Sequence, residues 1–174
     1  MIKEDLKHKA QCFYGRSTGR DILKVLFTDG TSAVVLFRMA KFFQGMGLGL
    51  VGWLFLEINK FLNGCVIGRG VYFQEGLVLM HPIGVVINGG VKGGKNVVIE
   101  SGVVIGTARH GFPVEVPTIG NDVFIGAGAK ILGGITIGNH VKIGANAVVL
   151  KDVPDGVTVV GIPAKTVNIN NLKI

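Results

Sequence analysis

TIGNDVFIGAGAKILGGITIGNHVKIGANAVV, residues 118–149, places an aliphatic residue at every sixth position: Ile119, Ile125, Ile131, Ile137, Ile143 and Val149. Glycine follows four of them, as Gly120, Gly126, Gly138 and Gly144. Four places after each aliphatic stands a small or β-branched residue: Val123, Ala129, Ile135, Val141, Ala147 and Val153. Such hexads predict a parallel β-helix of triangular section, mainly β. Each hexad supplies one short strand and one corner, and three hexads close a coil. The aliphatic residues point into a narrow core and stack on their equivalents above and below. Small residues fit the corners, and glycine takes backbone angles that other residues avoid.

Working upstream, the same spacing runs through Ile67, Phe73, Leu79, Val85, Val91, Val97 and Val103. At roughly 4.8 Å per layer, these hexads predict a prism of a little over four coils, about 20 Å tall. A β-sandwich would instead show turn signals at 8–12-residue spacing. The register breaks between Val103 and Ile119, where four residues more than two hexads intervene. Residues 107–117 are therefore expected to leave the prism as a loop, and loops leaving a solenoid commonly carry function. This one holds Arg109, His110 and Glu115.

Residues 1–64 lack the hexads. Arg20–Phe27, Ser32–Phe43 and Leu48–Leu62 read as short amphipathic helices, with Gly45, Gly47, Gly49 and Gly52 at the second join. They are expected to form a small N-terminal helical cap over the open end of the prism. The expected division is a cap over 1–64, a β-helix over 65–167 and a tail over 168–174.

Composition narrows the function classes. Of 174 residues, 48% are hydrophobic, 17% are charged and 28 are Gly without a three-residue period, which excludes general disorder and collagen. Phe42–Leu56 is uncharged but shorter than the ~20 residues of a membrane span. Charges at Lys3, Glu4, Asp5, Lys7 and Lys9 argue against a signal peptide. The net charge of +7 is spread along the chain, and no basic stripe interleaves with aromatics, so a nucleic-acid partner is not expected. Two isolated cysteines, Cys12 and Cys65, suit a reducing cytoplasm, with one disulfide left open.

The hexads, the run Ile125-Gly126-Ala127-Gly128-Ala129-Lys130-Ile131-Leu132-Gly133 and the ending Gly161-Ile162-Pro163-Ala164-Lys165 resemble the hexapeptide-repeat acyltransferases. The branch most similar is the serine O-acetyltransferases, whose tyrosine-arginine helix Phe37-Arg38-Met39-Ala40 resembles. The resemblance covers residues 20–167. It implies a left-handed β-helix, a homotrimer with sites between subunits, and acetyl-CoA as co-substrate with no metal. A trimer rather than a hexamer is expected, because most of that branch's long N-terminal helical region has no counterpart.

Leu79-Met80-His81-Pro82-Ile83-Gly84-Val85-Val86-Ile87 matches the segment bearing the family's catalytic histidine, which makes His81 the candidate general base. An imidazole suits this chemistry: with a pKa of about 6.5 it can take a hydroxyl proton at neutral pH. The resemblance further places coenzyme A along the C-terminal coils at Gly126, Ala127 and Ala145, with Lys130, Lys142 and Lys165 for its phosphates.

Three features of the serine branch are missing. Met80 stands where an acidic residue precedes the histidine. Glu115 and Val116 stand where an Arg-His pair precedes the proline that re-enters the prism. Val66 stands where the ungapped match expects the histidine's aspartate partner. These departures point to a neutral hydroxyl acceptor, as in relatives that acetylate sugars during bacterial surface polysaccharide synthesis. In that reading Arg109, His110 and Glu115 bind acceptor, and a lipid-linked sugar suits an enzyme of the cytoplasm that touches the inner membrane through Phe42–Leu56. The alternative is serine O-acetylation for cysteine synthesis, for which the final Ile174 is a weak marker of a complex with the next enzyme. Two other classes fit the residues less well. A zinc enzyme of the γ carbonic anhydrase type, using His81, His110 and His140, lacks that family's pair of close histidines. A non-enzymatic trimeric scaffold has no need of His81.

Overall fold

The computed structural model describes residues 1–109 and 114–167. Four helices come first: α1 (Ile2–Tyr14), α2 (Gly19–Val25), α3 (Thr31–Gly45) and α4 (Gly49–Asn63). Short strands follow. The first six are β1 (Val66–Ile67), β2 (Tyr72–Phe73), β3 (Val78–Leu79), β4 (Val86–Ile87), β5 (Lys92–Gly93) and β6 (Val98–Ile99). Next come β7 (Val104–Gly106), β8 (Thr118–Ile119), β9 (Phe124–Ile125), β10 (Lys130–Leu132) and β11 (Thr136–Ile137). The last are β12 (Lys142–Ile143), β13 (Val148–Val149), β14 (Thr158–Val160) and β15 (Lys165–Val167).

From β1 to β13 every third strand joins the same sheet; Val153, bridging to Ile137, then takes the sheet B position, and β14 joins sheet C. Sheet A runs β1-β4-β7-β10-β13, sheet B β2-β5-β8-β11, and sheet C β3-β6-β9-β12-β14-β15. All pairings are parallel except β14 with β15, which folds back antiparallel. This is the left-handed parallel β-helix. Its core is a stack of fully buried Ile99, Ile105, Ile125, Ile131, Ile137 and Ile143. Such stacking fills most layers with one branched side chain per sheet, while in sheet B the Phe73 ring of β2 occupies the space over Gly93 of β5.

The register differs from the sequence expectation in one respect. Ile67 pairs with Ile87, Ile87 with Ile105, Ile105 with Ile131 and Ile131 with Val149. The second and fourth of these steps span three hexads. The first is two residues longer and the third is eight residues longer. The prism therefore carries two insertions. Val85, Val91, Val97 and Val103, expected as strand residues, are buried corner residues instead. The 107–117 loop is longer than the spacing of aliphatics suggested, and a second insertion falls between Leu79 and Val86.

The helices differ from expectation chiefly by addition, since α1 had no counterpart in the sequence reading. They pack against the first coil, α3 and α1 on β3 and α4 on β1. Helices α3 and α4 cross at Gly52, where a Cβ would strike the Ala40 carbonyl and the Gln44 side chain. Buried Asn59 on α4 donates to the Ala33 carbonyl of α3 at 2.9 Å. The outward side of this pair leaves Phe42, Leu50, Leu54 and Phe61 exposed. Among the described residues no helix is long and apolar enough to cross a membrane.

Candidate active site

One edge of the prism, between sheets C and A, gathers most of the candidate residues. Backbone bonds stack it layer on layer: Gly102 N–H donates to Ile83 O, Gly128 N–H to Ser101 O, and Asn146 N–H to Ala127 O. Gly84, Gly102, Gly128 and Asn146 share the left-handed backbone of this corner. On the other side of the corner Met80 N–H donates to Ile99 O, Glu100 N–H to Ile125 O and Gly126 N–H to Ile143 O. Met80 is thus in register with Glu100, and Ile83 with Ser101. The two additional residues of this coil are His81 and Pro82 themselves. They push the imidazole out of the prism wall, where its side chain is 59% exposed.

His81 has a carboxylate partner. Its Nδ1 lies 3.3 Å from Asp29 Oδ2. This corrects the expectation, drawn from Val66, that the histidine stands without one: the carboxylate comes from the α2–α3 loop instead of the prism. With Nδ1–H donating to Asp29, Nε2 is left free to accept a proton.

The loop that carries Asp29 is pinned from two sides. Gly30, with φ of +75°, lies so close to the Leu79 carbonyl that no side chain fits there. Lys9 of α1 reaches underneath, its Nζ donating to the Asp29 carbonyl and, at 2.9 Å, to Thr31 Oγ1. Thr31 Oγ1 donates in turn to Val25 O at 2.5 Å. Lys9 is only 2% exposed, and burial lowers its pKa to about 8. The unfolded chain, with an ordinary lysine, therefore binds the proton more tightly than the folded one. This group's contribution to stability should rise with pH from about 8 towards 10.5. Melting curves across that window should show the rise in the wild type and not in Lys9→Met; equal slopes would refute it.

Along the same edge, Gly126 and Ala127 lie two layers from His81 and Ala145 three, roughly 10 and 14 Å away at about 4.8 Å per layer. Gly126 is required by the stacking alone, because a Cβ would strike the Ala145 nitrogen. Lys130 Nζ donates to Gly102 O at 2.6 Å on this edge. Lys165, on exposed β15, sits at the far margin of sheet C. Beside His81 a cleft opens between the α2–α3 loop and the end of α4, lined by Leu26, Phe27, Asp29, Leu62, Pro82 and Ile83.

Other candidates lie elsewhere. The loop leaves between sheets A and B, so Arg109 and Glu115 are a full face away from His81 within one chain. Glu115 packs over Gly134 and Val116 over Gly90. His110 lies outside the described residues, as does Ile174. His140 occupies the corner between sheets B and C, 71% exposed, with Nδ1 3.7 Å from Asp122 Oδ2. Among the described residues no three His, Cys, Asp or Glu side chains gather as metal ligands. Cys12 is exposed and Cys65 buried, both as free thiols. Burial pushes the Cys65 thiol up to about 11.

Sequence reasoning missed Asp29, Glu100 and Ser101. Asp29 is 52 residues from its partner, and only the turn signal Asp29-Gly30 marks its loop. Glu100 and Ser101 become neighbours of His81 only once the layers are in register.

The prism, its hexads and this edge define a hexapeptide-repeat transferase, and a model of that family, bacterial transferase hexapeptide (six repeats), matches residues 117–151. Serine acetyltransferase of Bacillus pumilus (strain SAFR-032) is 36% identical over 175 residues, covering 100% of this chain and 79% of its own. Among solved structures, serine acetyltransferase of Brucella abortus strain S19 in complex with coenzyme A is similar with TM-score 0.84 and 31% identity, over 95% of this chain and 66% of that one. The Neisseria gonorrhoeae enzyme in complex with serine gives TM-score 0.81 and 32% identity, over 95% and 68%. The chain belongs to the serine acetyltransferase family, and is an acetyltransferase.

Proposed function

We propose that this protein moves the acetyl group of acetyl-CoA to a hydroxyl, with His81 as general base. The observation that carries the reading is the His81–Asp29 pair, raised by a two-residue insertion on the edge that also bears Gly126, Ala127 and Ala145. His81 Nε2 takes the hydroxyl proton as the oxygen attacks the thioester carbonyl. The tetrahedral oxyanion is met by a backbone N–H of the edge. The carbon–sulfur bond then breaks, and the departing thiolate takes the proton from the imidazolium. Small residues along the edge leave room for a pantetheine arm, and Lys130 and Lys165 are the cations proposed for the phosphates.

For the acceptor, the relatives named above favour L-serine, the alternative in the sequence reading, over the sugar hydroxyl placed first there. Asp29 removes one of the three objections to serine. A second reading keeps one observation in its favour: exposed Leu26, Phe27, Leu62 and Ile83 around the cleft suit an acceptor with an apolar portion, such as a lipid-linked sugar. A homotrimer is proposed in either case, because Arg109 and Glu115 lie a full face away from His81 within one chain and would share a site with it only if a neighbouring subunit supplied them. A cytoplasmic setting supplies the donor.

The test is thiol release from acetyl-CoA with L-serine against a panel of sugars and lipid-linked oligosaccharides, with the enzyme's mass read by light scattering. Serine turnover by a trimer is the expected result. Turnover with glycans and none with serine would move the acceptor to the second reading. Full activity as a monomer would refute the shared site.

A further inference from the structure

L-serine brings an ammonium group two carbons from its hydroxyl oxygen. A pose that places the hydroxyl at His81 Nε2 therefore places a cation within about one layer of the prism. An ammonium leaving water there needs a carboxylate. Met80, directly before His81, offers none. Asp29 is engaged with His81. Glu75 is paired with Lys95 at 2.9 Å, and Asp122 accepts from Asn96 Nδ2 at 2.9 Å, both away from this edge.

Glu100 remains. It stands one layer above Met80 on the His81 edge, because Leu79 pairs with Ile99 and the next residues follow in register. It is half-buried, and among the described residues it takes part in no ion pair. Resting on the serine reading above, we infer that Glu100 selects the acceptor, its carboxylate receiving the ammonium of L-serine while the hydroxyl meets His81. The anion is supplied by the neighbouring coil instead of the residue before the histidine.

Steady-state kinetics of Glu100→Gln test this. The KM for L-serine should rise roughly tenfold or more, the loss expected for one charged hydrogen bond. Turnover number and KM for acetyl-CoA should stay within about twofold, since the role assigned to Glu100 is toward the ammonium and not toward the reacting atoms or the donor. With 3-hydroxypropionate, which is serine without the amine, wild type and variant should behave alike. Adding Met80→Asp to Glu100→Gln should recover serine affinity, which a merely structural role for Glu100 would not allow. An unchanged KM for serine in a serine-active enzyme overturns the assignment, as does an equal loss with 3-hydroxypropionate. A wild type active on glycans and silent with serine overturns the serine reading and this one together.

Discussion

His81→Ala lowers turnover by roughly 10²–10⁴-fold, with the KM for acetyl-CoA little changed. The size follows from what the residue is asked to do. A serine or sugar hydroxyl is a weak nucleophile until its proton has somewhere to go, and Nε2 is the free base on this edge. The fold should be unaffected. Among the described residues the His81 ring makes one polar contact, at 3.3 Å, and its side chain is 59% exposed, so truncation opens no core cavity. Circular dichroism and melting temperature should match the wild type, which separates lost chemistry from lost structure. Asp29→Asn should also lower turnover with the fold intact, because the amide NH2 can donate to Nδ1 and hold the tautomer whose Nε2 carries the proton, and because it no longer balances the imidazolium that forms. A His81→Ala enzyme within tenfold of wild type would remove the histidine from the reaction.

The prism was legible because its core is periodic: an isoleucine at each sixth position is the direct imprint of one strand per hexad. What stayed hidden is instructive. Across the His81 insertion, aliphatic spacing persists by substitution. Val85, Val91, Val97 and Val103 are corner residues that fall on the six-residue grid of the preceding strands. The true inward residue of β5 is Gly93, where a Cβ would overlap the Phe73 ring, so no apolar signal marks it. The histidine was therefore singled out by resemblance, while the bulge that exposes it had no signal in the spacing. Asp29 was hidden for a different reason. Its place is set by tertiary packing, Gly30 on the Leu79 backbone and Lys9 beneath, and no local pattern carries that. Helix α1 escaped because it is mostly polar: its buried residues are Asp5, Lys9 and Ala10, and it is held by charge pairing more than by an apolar stripe.

That pairing yields the largest expected effect on stability. Arg38 of α3 is 5% exposed and Asp5 of α1 3%. Their two ends meet bidentately, Nε to Oδ2 at 2.8 Å and Nη2 to Oδ1 at 3.0 Å. Each also serves the prism. Arg38 donates to Phe73 O at 2.7 Å and Gln74 O at 2.6 Å, while Asp5 Oδ1 accepts from Gly76 N at 2.7 Å and Leu77 N at 2.9 Å. Two helices and the β2–β3 turn are thus joined through one ion pair. Arg38→Ala strands a buried carboxylate and should cost about 3–5 kcal/mol, a large share of a typical 5–15 kcal/mol total. Asp5→Ala should cost a similar amount. Arg38→Lys is no remedy, since an ammonium cannot reproduce the flat fork that reaches a carboxylate and two carbonyls at once. Buried ion pairs can often be exchanged for apolar residues at little cost. Here the combined Asp5→Leu and Arg38→Met change should not recover stability, because four backbone groups of residues 73–77 would lose their partners, each worth about 1–3 kcal/mol when left unmet. Urea unfolding of the single and double variants measures this directly. A single-variant loss below about 1 kcal/mol, or a double variant as stable as wild type, would show that the helices are held on the prism by apolar packing and that the ion pair is incidental.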